Sequence, residues 1–214
     1  MRKITLLIAC LLALHVQGQD YLALENFDSD LGAWTTLDEG DATGDTWVSG
    51  MKDGAALDGT NAAIVDSDAN GNGTALLETL VSPVFDCSSG TVVLLEFDQY
   101  YRQLFLGTEF GSVEVWDGTA WQQVLALDAP IGNFNAPDQQ SIDITAYKNA
   151  NMQVRFVYDD ANTWAWYWLI DNVRVREQPT CTEVVVNSTS IVNDCDNNQF
   201  QIEHGMLGES WHFF

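Results

Sequence analysis

Histidine is nearly absent from this 214-residue chain: His15, His204 and His212 are the three, and residues 19–203 contain none. Ser-His-Asp and Cys-His catalysis require an imidazole beside the nucleophile, and catalytic zinc sites usually bind the metal through histidine. The central part of the chain therefore lacks the residue on which these reactions depend. Chemistry based on two carboxylates, as in glycoside hydrolases, stays open, but no pair of acids stands out by its context. We predict a protein that is not an enzyme.

Basic residues are also scarce. The chain has 8 Lys and Arg against 31 Asp and Glu, which gives a formal net charge of −23. Nucleic acids and anionic membrane surfaces are bound largely through cationic side chains, so neither is an expected partner. An acidic chain of this kind attracts cations instead, and bound divalent ions would relieve its self-repulsion.

No hydrophobic run is long enough to cross a bilayer, which takes about 20 residues. The longest is Ile4–Leu14, with two basic residues before it and small residues after it. This is the layout of a cleavable secretory signal over 1–18, and the mature chain is predicted to begin at Gln19. A lipoprotein signal ending at Cys10 fits less well, because it would divide the apolar run. We expect a secreted or cell-surface protein with no membrane insertion.

Cysteine is sparse in the mature chain, which keeps Cys87, Cys181 and Cys195. In an oxidising compartment Cys181 and Cys195 could close a short loop and leave Cys87 as a buried thiol. The spacings fit no zinc pattern.

Short β-strand patterns fill the region that remains. Runs rich in β-branched and aromatic residues are separated by turn residues, and several alternate between apolar and polar positions. The runs are 91–101, 112–118, 141–147, 152–160 and 168–176. They predict an all-β fold, a two-sheet antiparallel jelly-roll sandwich over 19–177. Beyond it, 178–214 reads as a linker or incomplete second element, a short irregular C-terminal extension.

One loop, DSDANGNG at 66–73, has the pattern of a calcium ligand set. Oxygen-bearing side chains at Asp66, Asp68 and Asn70, followed by Gly71, match the first half of an EF-hand loop. Position twelve is Leu77 instead of glutamate, and the flanking segments predict strands instead of helices, so this is not an EF-hand. Either the loop binds calcium with ligands from elsewhere in the fold, or it is an ordinary Asn/Gly hairpin loop.

The order of several segments resembles a known family. The segments are LENFDSDLGAW (24–34), DTWVSG (45–50), AAIVDSDANGNG (62–73), LVSPVFDCSS (80–89), VVLLEFDQYYR (92–102), GSVEVWDGTAW (111–121), IDITAYKNANMQVRFVYDD (142–160) and WYWLIDNVRV (166–175). Together they resemble MAM and cleaved-adhesin jelly-roll modules, including choice-of-anchor J domains of secreted Bacteroidota proteins. The resemblance covers nearly all of 22–176. It implies a calcium-bearing module that mediates adhesion or substrate contact, usually within a longer multidomain protein.

The resemblance also indicates further calcium ligands. Asp171 shares parity with Val173 and Val175, so its carboxylate would begin on the core side and need a cation, unless a bulge or edge position lets it reach water. Glu25 corresponds to the acidic residue with which such domains commonly begin, and Asp98 is a weaker candidate. The predicted Ca²⁺ ligands are Glu25, Asp66, Asp68, Asn70 and Asp171.

Tryptophan supplies a second hypothesis. Most of the aromatic residues are expected in the core, but Trp116 falls on the polar side of its strand and Trp164 lies in a predicted loop. Exposed indoles on β-sandwiches can stack sugar rings. The sequence therefore predicts a secreted, non-catalytic, calcium-stabilised binding or adhesion module with an extracellular protein or glycan ligand. The alternative is a carbohydrate-binding accessory module of a secreted hydrolase that uses Trp116 and Trp164.

Overall fold

The computed structural model describes residues 19–41, 44–104 and 108–178, together with the backbone of three later strands. Eleven strands of the first unit, which ends at Gln178, form two antiparallel sheets. The strands are β1 (Asp20–Glu25), β2 (Thr35–Asp38), β3 (Val48–Gly50), β4 (Ala62–Asp66), β5 (Leu77–Val81), β6 (Val93–Arg102), β7 (Phe110–Trp116), β8 (Trp121–Leu127), β9 (Asp138–Asp143), β10 (Val154–Asp159) and β11 (Tyr167–Glu177). The prediction of an all-β jelly-roll sandwich is confirmed.

Sheet A has the strand order β3-β4-β11-β6-β9, and β1 also pairs with β11. Sheet B has the order β2-β5-β10-β7-β8. The first and last strands of the sandwich, β1 and β11, lie side by side. At their ends the Glu177 amide donates a hydrogen bond of 2.8 Å to the Gln19 carbonyl. Helical structure among the described residues of this unit is confined to α1 (Ser67–Asn70) and a 3-10 turn at Thr145–Tyr147, and no helix there is long and apolar enough to cross a membrane.

Alternation along β6 separates the core from the outer face of sheet A. Every second residue from Val93 to Tyr101 is buried, and the residues between them are partly exposed. Because successive side chains of a strand point to opposite faces, one row faces sheet B and the other faces away from it. The outer row ends in Glu96, Asp98, Tyr100 and Arg102.

Trp168 on β11 lies at the centre of the core and is fully buried. Its indole makes edge contacts with the rings of Trp47, Phe156 and Tyr101, at centroid distances of 5.6, 5.8 and 5.9 Å. The indole N–H donates a hydrogen bond of 3.1 Å to the buried Gln99 side-chain oxygen, so its polar atom is satisfied.

A β-bulge interrupts β11 where it passes β6. Asp171 pairs with Asp98, but the next pair is Arg174 with Glu96, so two residues on β11, Asn172 and Val173, face one on β6. Asn172 has a left-handed backbone with φ of 52°. The bulge changes the parity of the strand: Asp171 is on the same side as Asp98, whereas Val173 is buried in the core. The shared parity predicted for these residues is therefore wrong.

The second unit, Pro179–Phe214, contains the strands β12 (Val186–Asp194), β13 (Gln199–Met206) and β14 (Glu209–Phe213). They form a three-stranded antiparallel sheet in chain order. This is more regular than the extension that the sequence predicted. The proposed pairing of Cys181 with Cys195 and the signal at 1–18 lie outside the described residues.

Candidate functional site

The predicted calcium loop holds a lysine between its acids. Asp66 ends β4 and caps α1 by accepting a hydrogen bond of 3.1 Å from the Ala69 amide. The Lys52 ammonium lies 3.1 Å from Asp66 Oδ2 and 2.9 Å from Asp68 Oδ2. Burial would lower the pKa of Lys52, but its hydrogen bonds to Asp68 and Asp66 outweigh that effect and raise it. A tethered cation thus occupies the position that the sequence assigned to a metal, and Asn70 ends the short helix nearby.

Asp171 lies elsewhere on sheet A. It is fully buried, its Oδ1 accepts a hydrogen bond of 2.7 Å from the Asn172 amide, and its Oδ2 has no hydrogen-bond partner. Burial, together with smaller contributions from the nearby carboxylates of Asp58, Asp28 and Asp98, raises the pKa of Asp171 to about 7. A buried carboxylate with one unsatisfied oxygen needs a proton or a cation.

The fold does not gather the five predicted ligands around one point. Asp66 pairs with Tyr167, four residues before Asp171 on β11, a separation of about 13 Å along the strand. Glu25 pairs with Val173 and accepts a hydrogen bond of 3.1 Å from the Phe27 amide. Within residues 19–41, 44–104 and 108–178, no three His, Cys, Asp or Glu side chains are already close enough to hold a metal ion. Calcium binding stays a prediction.

The two candidate tryptophans, one in a loop and one at a strand end, differ in exposure. Trp164, in the loop before β11, is 49% exposed, and its N–H donates a hydrogen bond of 3.3 Å to the Asp68 carbonyl. Trp116, at the end of β7, is partly buried and packs edge-on against Trp121 at 5.6 Å. Trp164 therefore offers the more accessible indole.

An open groove of about 420 Å³ crosses the outer face of sheet A. Its lining combines carboxylates, amides, an arginine and an exposed leucine: Leu24, Glu96, Phe97, Asp98, Gln139, Gln140, Ser141, Asn172 and Arg174. Asp98 accepts hydrogen bonds of 3.1 Å from Gln139 and 3.0 Å from Asn172. These amides hold Asp98 in one orientation, so the polar groups in the middle of the groove are preorganised.

Ion pairs fix one end of this groove. The Glu96 carboxylate contacts Arg174 at 2.7 Å and Arg176 at 2.8 Å. The hydrogen bond from Arg176 outweighs partial burial and, with Arg174, lowers the pKa of Glu96. Glu96 is therefore an anion at neutral pH, with two arginines neutralising its charge.

Aromatic side chains continue the same face beyond Asp98. Tyr100 lies two residues further along β6 and meets Phe134 and Tyr167 edge-on, at 4.9 and 5.5 Å. The Arg102 guanidinium stacks 3.7 Å over the Trp166 ring. Sequence reasoning missed this cluster, although the alternation in LEFDQYYR (95–102) assigns Tyr100 and Arg102 to one side and Tyr101 to the other.

Glu78 is a further acid that sequence reasoning missed. It is 1% exposed, and neither carboxylate oxygen has a hydrogen-bond partner. Burial raises its pKa to about 7, and Asp38 and Asp41 contribute to the increase. The signal was present in the sequence, because Glu78 has the parity of the core residue Leu80.

The sequence matches no known family model and no curated protein. The fold is similar to the K1 cleaved adhesin domain of the Lys-gingipain of Porphyromonas gingivalis W83, with a TM-score of 0.56 and 18% identity over 73% of this chain and 98% of that domain. For the K3 domain of the same protein the TM-score is 0.52, with 15% identity over 76% and 100%. The carbohydrate-binding module TmCBM61, solved with β-1,4-galactotriose, has a TM-score of 0.50 and 12% identity over 75% and 99%. At these identities the likeness shows the fold alone, a jelly-roll β-sandwich. The choice-of-anchor J assignment stays a prediction.

Proposed function

We propose that this chain is an exported, non-catalytic binding or adhesion module whose ligand is an extracellular protein or glycan. The observation that carries the proposal is the groove on the outer face of sheet A. Its volume of about 420 Å³ is that of ordinary ligand sites, and its polar groups are already oriented by hydrogen bonds and ion pairs.

The arrangement of acids supports binding over catalysis. Carboxylates with raised pKa values are candidates for acid-base chemistry, and Asp171 and Glu78 have this property. Both are enclosed, with 0% and 1% of their surface exposed, so a substrate has no access to them. In the groove itself, Glu96 is held as an anion by two arginines.

Carbohydrate binding is the second candidate, and the row of residues along β6 favours it. From Glu96 to Arg102 the outer face changes from charged and amide groups to aromatic rings over about 20 Å. Sugars present hydroxyl groups at their edges and apolar surfaces on their ring faces. The charged and amide groups of such a row can hydrogen-bond the hydroxyls, and its aromatic rings can stack on the ring faces. The net charge of −23 would repel polyanionic glycans, so we expect a neutral one. Trp164 provides a second possible platform.

The test is affinity gel electrophoresis against neutral polysaccharides. If the groove binds the glycan, Asp98→Ala and Gln139→Ala should weaken retention at least tenfold, because a lost charge-assisted hydrogen bond costs roughly 1.5–3 kcal/mol. Gln123→Ala, at an exposed position of sheet B, is the matched control and should have no effect. Trp116→Ala and Trp164→Ala test the sequence-based sites in the same gels.

If Trp164→Ala alone abolishes retention on the polysaccharide, the sugar-binding site lies in the loop before β11 and not in the groove. Absence of retention on every polysaccharide would exclude the carbohydrate alternative and leave a protein ligand. If Asp98→Ala and Gln139→Ala both bind the ligand as tightly as the wild-type protein does, the groove is not the binding site.

Calcium stabilisation is part of the same proposal, with Asp171 as the central ligand. Its buried, unsatisfied Oδ2 and the neighbouring carboxylates of Asp58 and Asp28 suit a hard, oxygen-seeking cation. The ion would draw these side chains together and supply the charge that the buried carboxylate lacks. Asp66 and Asp68 have no part in it, because Lys52 already neutralises them.

Calcium should raise the melting temperature of the mature protein, and EDTA should lower it. An ion present at 100 times its Kd stabilises by about 2.7 kcal/mol, which is about 5–10 °C for a domain of this size. Asp171→Asn should remove more than half of the shift, whereas Asp143→Asn, at an exposed position on β9, should leave it unchanged. Equal shifts in wild type and Asp171→Asn would argue against this site.

A further inference from the structure

Arg102 differs from the other arginines of the described sandwich because it has no carboxylate partner. The other three, Arg155, Arg174 and Arg176, each form an ion pair with a glutamate at 2.6–2.8 Å. The chain has 31 Asp and Glu against 8 Lys and Arg, so the missing partner does not reflect a shortage of acids. Among the described residues, the one hydrogen bond from the Arg102 guanidinium goes to the Tyr167 hydroxyl, at 3.3 Å.

The Arg102 guanidinium is nevertheless held in one orientation. It stacks 3.7 Å over the Trp166 ring, and the Tyr167 hydroxyl accepts one of its five N–H donors. Stacking on a ring covers one face of a guanidinium and leaves its in-plane edges open. Arg102 is also partly exposed at the end of β6. The side chain is therefore a preorganised donor whose acceptor is missing.

Arg155 on sheet B shows the same arrangement with the acceptor present. Its guanidinium lies 4.4 Å over the Trp121 ring. Its Nε and Nη2 atoms donate hydrogen bonds of 2.8 and 2.6 Å to Glu114 Oε2. The fold thus contains two arginines stacked on tryptophans, and only the one at Arg155 has a carboxylate from the described chain. A carboxylate matches the planar edge of a guanidinium, so it is the acceptor that Arg102 is built to receive.

The surroundings of Arg102 favour a carboxylate that is attached to a ring. Asp68 acts on Arg102 through its charge, but its carboxylate is held by the Lys52 ammonium at 2.9 Å. The Asp68 main chain also links two indoles, because its amide donates to the Trp166 carbonyl at 3.2 Å and its carbonyl accepts from the Trp164 indole at 3.3 Å. Trp164 is 49% exposed, so a flat apolar surface lies near the guanidinium.

We infer that Arg102 binds the carboxylate of an acidic sugar, with the Trp164 indole as the surface on which the sugar ring stacks. The inference rests on the carbohydrate-binding candidate of the proposed function, because Arg102 ends the row along β6. The net charge of −23 opposes a glycan with a carboxylate on every residue. The acidic sugar is therefore expected at one end of an otherwise neutral chain.

Isothermal titration calorimetry with matched oligosaccharides tests the inference. Each set shares one neutral part and ends in a hexose, in the corresponding hexuronic acid, or in the methyl ester of that acid. The mature protein should bind at least one acid roughly tenfold or more tightly than the hexose and the ester, because it gains a charge-assisted hydrogen bond. Arg102→Ala should abolish this preference. Arg102→Lys should keep only part of it, since an ammonium lacks the planar fork.

Two further variants separate charge from stacking. Arg155→Ala is the matched control, because it removes an arginine stacked on a tryptophan whose carboxylate partner is internal, and it should keep the preference for the acid. Trp164→Ala should weaken the binding of all three sugars by a similar factor. The comparison of acid with ester in wild type requires no variant, so it stands even if Arg102→Ala fails to fold.

Equal affinities of wild type for acid and ester, or a preference that survives in Arg102→Ala, would overturn the inference. The groove variants Asp98→Ala and Gln139→Ala then still report whether the neutral part of the glycan binds, so the proposed function is judged separately. If no sugar binds at all, the inference and the carbohydrate candidate both fail. If the N-acetyl amide of aspartic acid binds through Arg102 and no acidic sugar does, the carboxylate belongs to a protein partner and the inferred ligand class is wrong.

Discussion

In metal-free buffer the free energy of unfolding should fall steeply as the pH rises from about 4 to about 7. The pKa of Asp171 is about 7 in the folded protein against an ordinary 3.8, and that of Glu78 is about 7 against 4.5. Both side chains are protonated in the native state at low pH, and the unfolded chain releases its protons first as the pH rises. Stability is therefore fully present below about pH 4 and is lost up to the folded pKa values near 7.

The expected magnitude is large for a domain of this size. One pKa unit corresponds to about 1.36 kcal/mol, so Asp171 accounts for about 4 kcal/mol and Glu78 for about 3 kcal/mol. Carboxylates with lowered pKa values, such as Asp117 and Glu96, act in the opposite sense, but their effect falls below about pH 4.5 and overlaps only the lower end of this range. Denaturant titrations in EDTA at successive pH values measure the curve.

Substitutions at the two acids are the controls. Asp171→Asn and Glu78→Gln should each flatten the curve by removing one titrating group, and excess calcium should restore stability at pH 7 if the ions bind. A free energy of unfolding that is constant or rises between pH 4 and 7 without metal would contradict the raised pKa values.

Trp168→Ala should lower the free energy of unfolding by about 3–5 kcal/mol, the usual cost of truncating a fully buried large aromatic side chain. The indole touches rings from both sheets, so its removal leaves a cavity at the centre of the core. For a domain of about this length each kcal/mol shifts the melting temperature by about 2–4 °C, so a decrease of about 6–20 °C is expected. Differential scanning calorimetry measures it.

Two further variants separate packing from polarity. Trp168→Phe keeps part of the ring volume but removes the donor to Gln99, and it should cost about 1–3 kcal/mol. Trp164→Ala, at the 49% exposed indole, should change stability by less than about 1 kcal/mol. Comparable losses in Trp164→Ala and Trp168→Ala would contradict the assignment of Trp168 as the centre of the core.

The fold was predictable from the sequence because its strands alternate. In β7, for example, Val113 and Val115 are fully buried while Trp116 is partly exposed, as the period of two requires. The outer row of β6 follows from the same rule, so Glu96 and Asp98 of the candidate groove were within reach of sequence reasoning.

The metal ligands were harder to place, for two physical reasons. A bulge at Asn172 changes the parity of β11, and no residue pattern in IDNVRV (170–175) marks it. Lys52 meets Asp66 and Asp68 only through the fold, 14 and 16 residues away in the chain. Glu78, by contrast, could have been found as a charge at a core position of its strand.

The hydrogen bond between Gln19 and Glu177 has a consequence for protein engineering. Chain segments entering and leaving the sandwich do so side by side, so the whole jelly roll can be spliced into a surface loop of a host protein without forcing the two cut ends of that loop apart. The domain can therefore be inserted as a unit into a host protein, to which it would be connected by two adjacent chain segments.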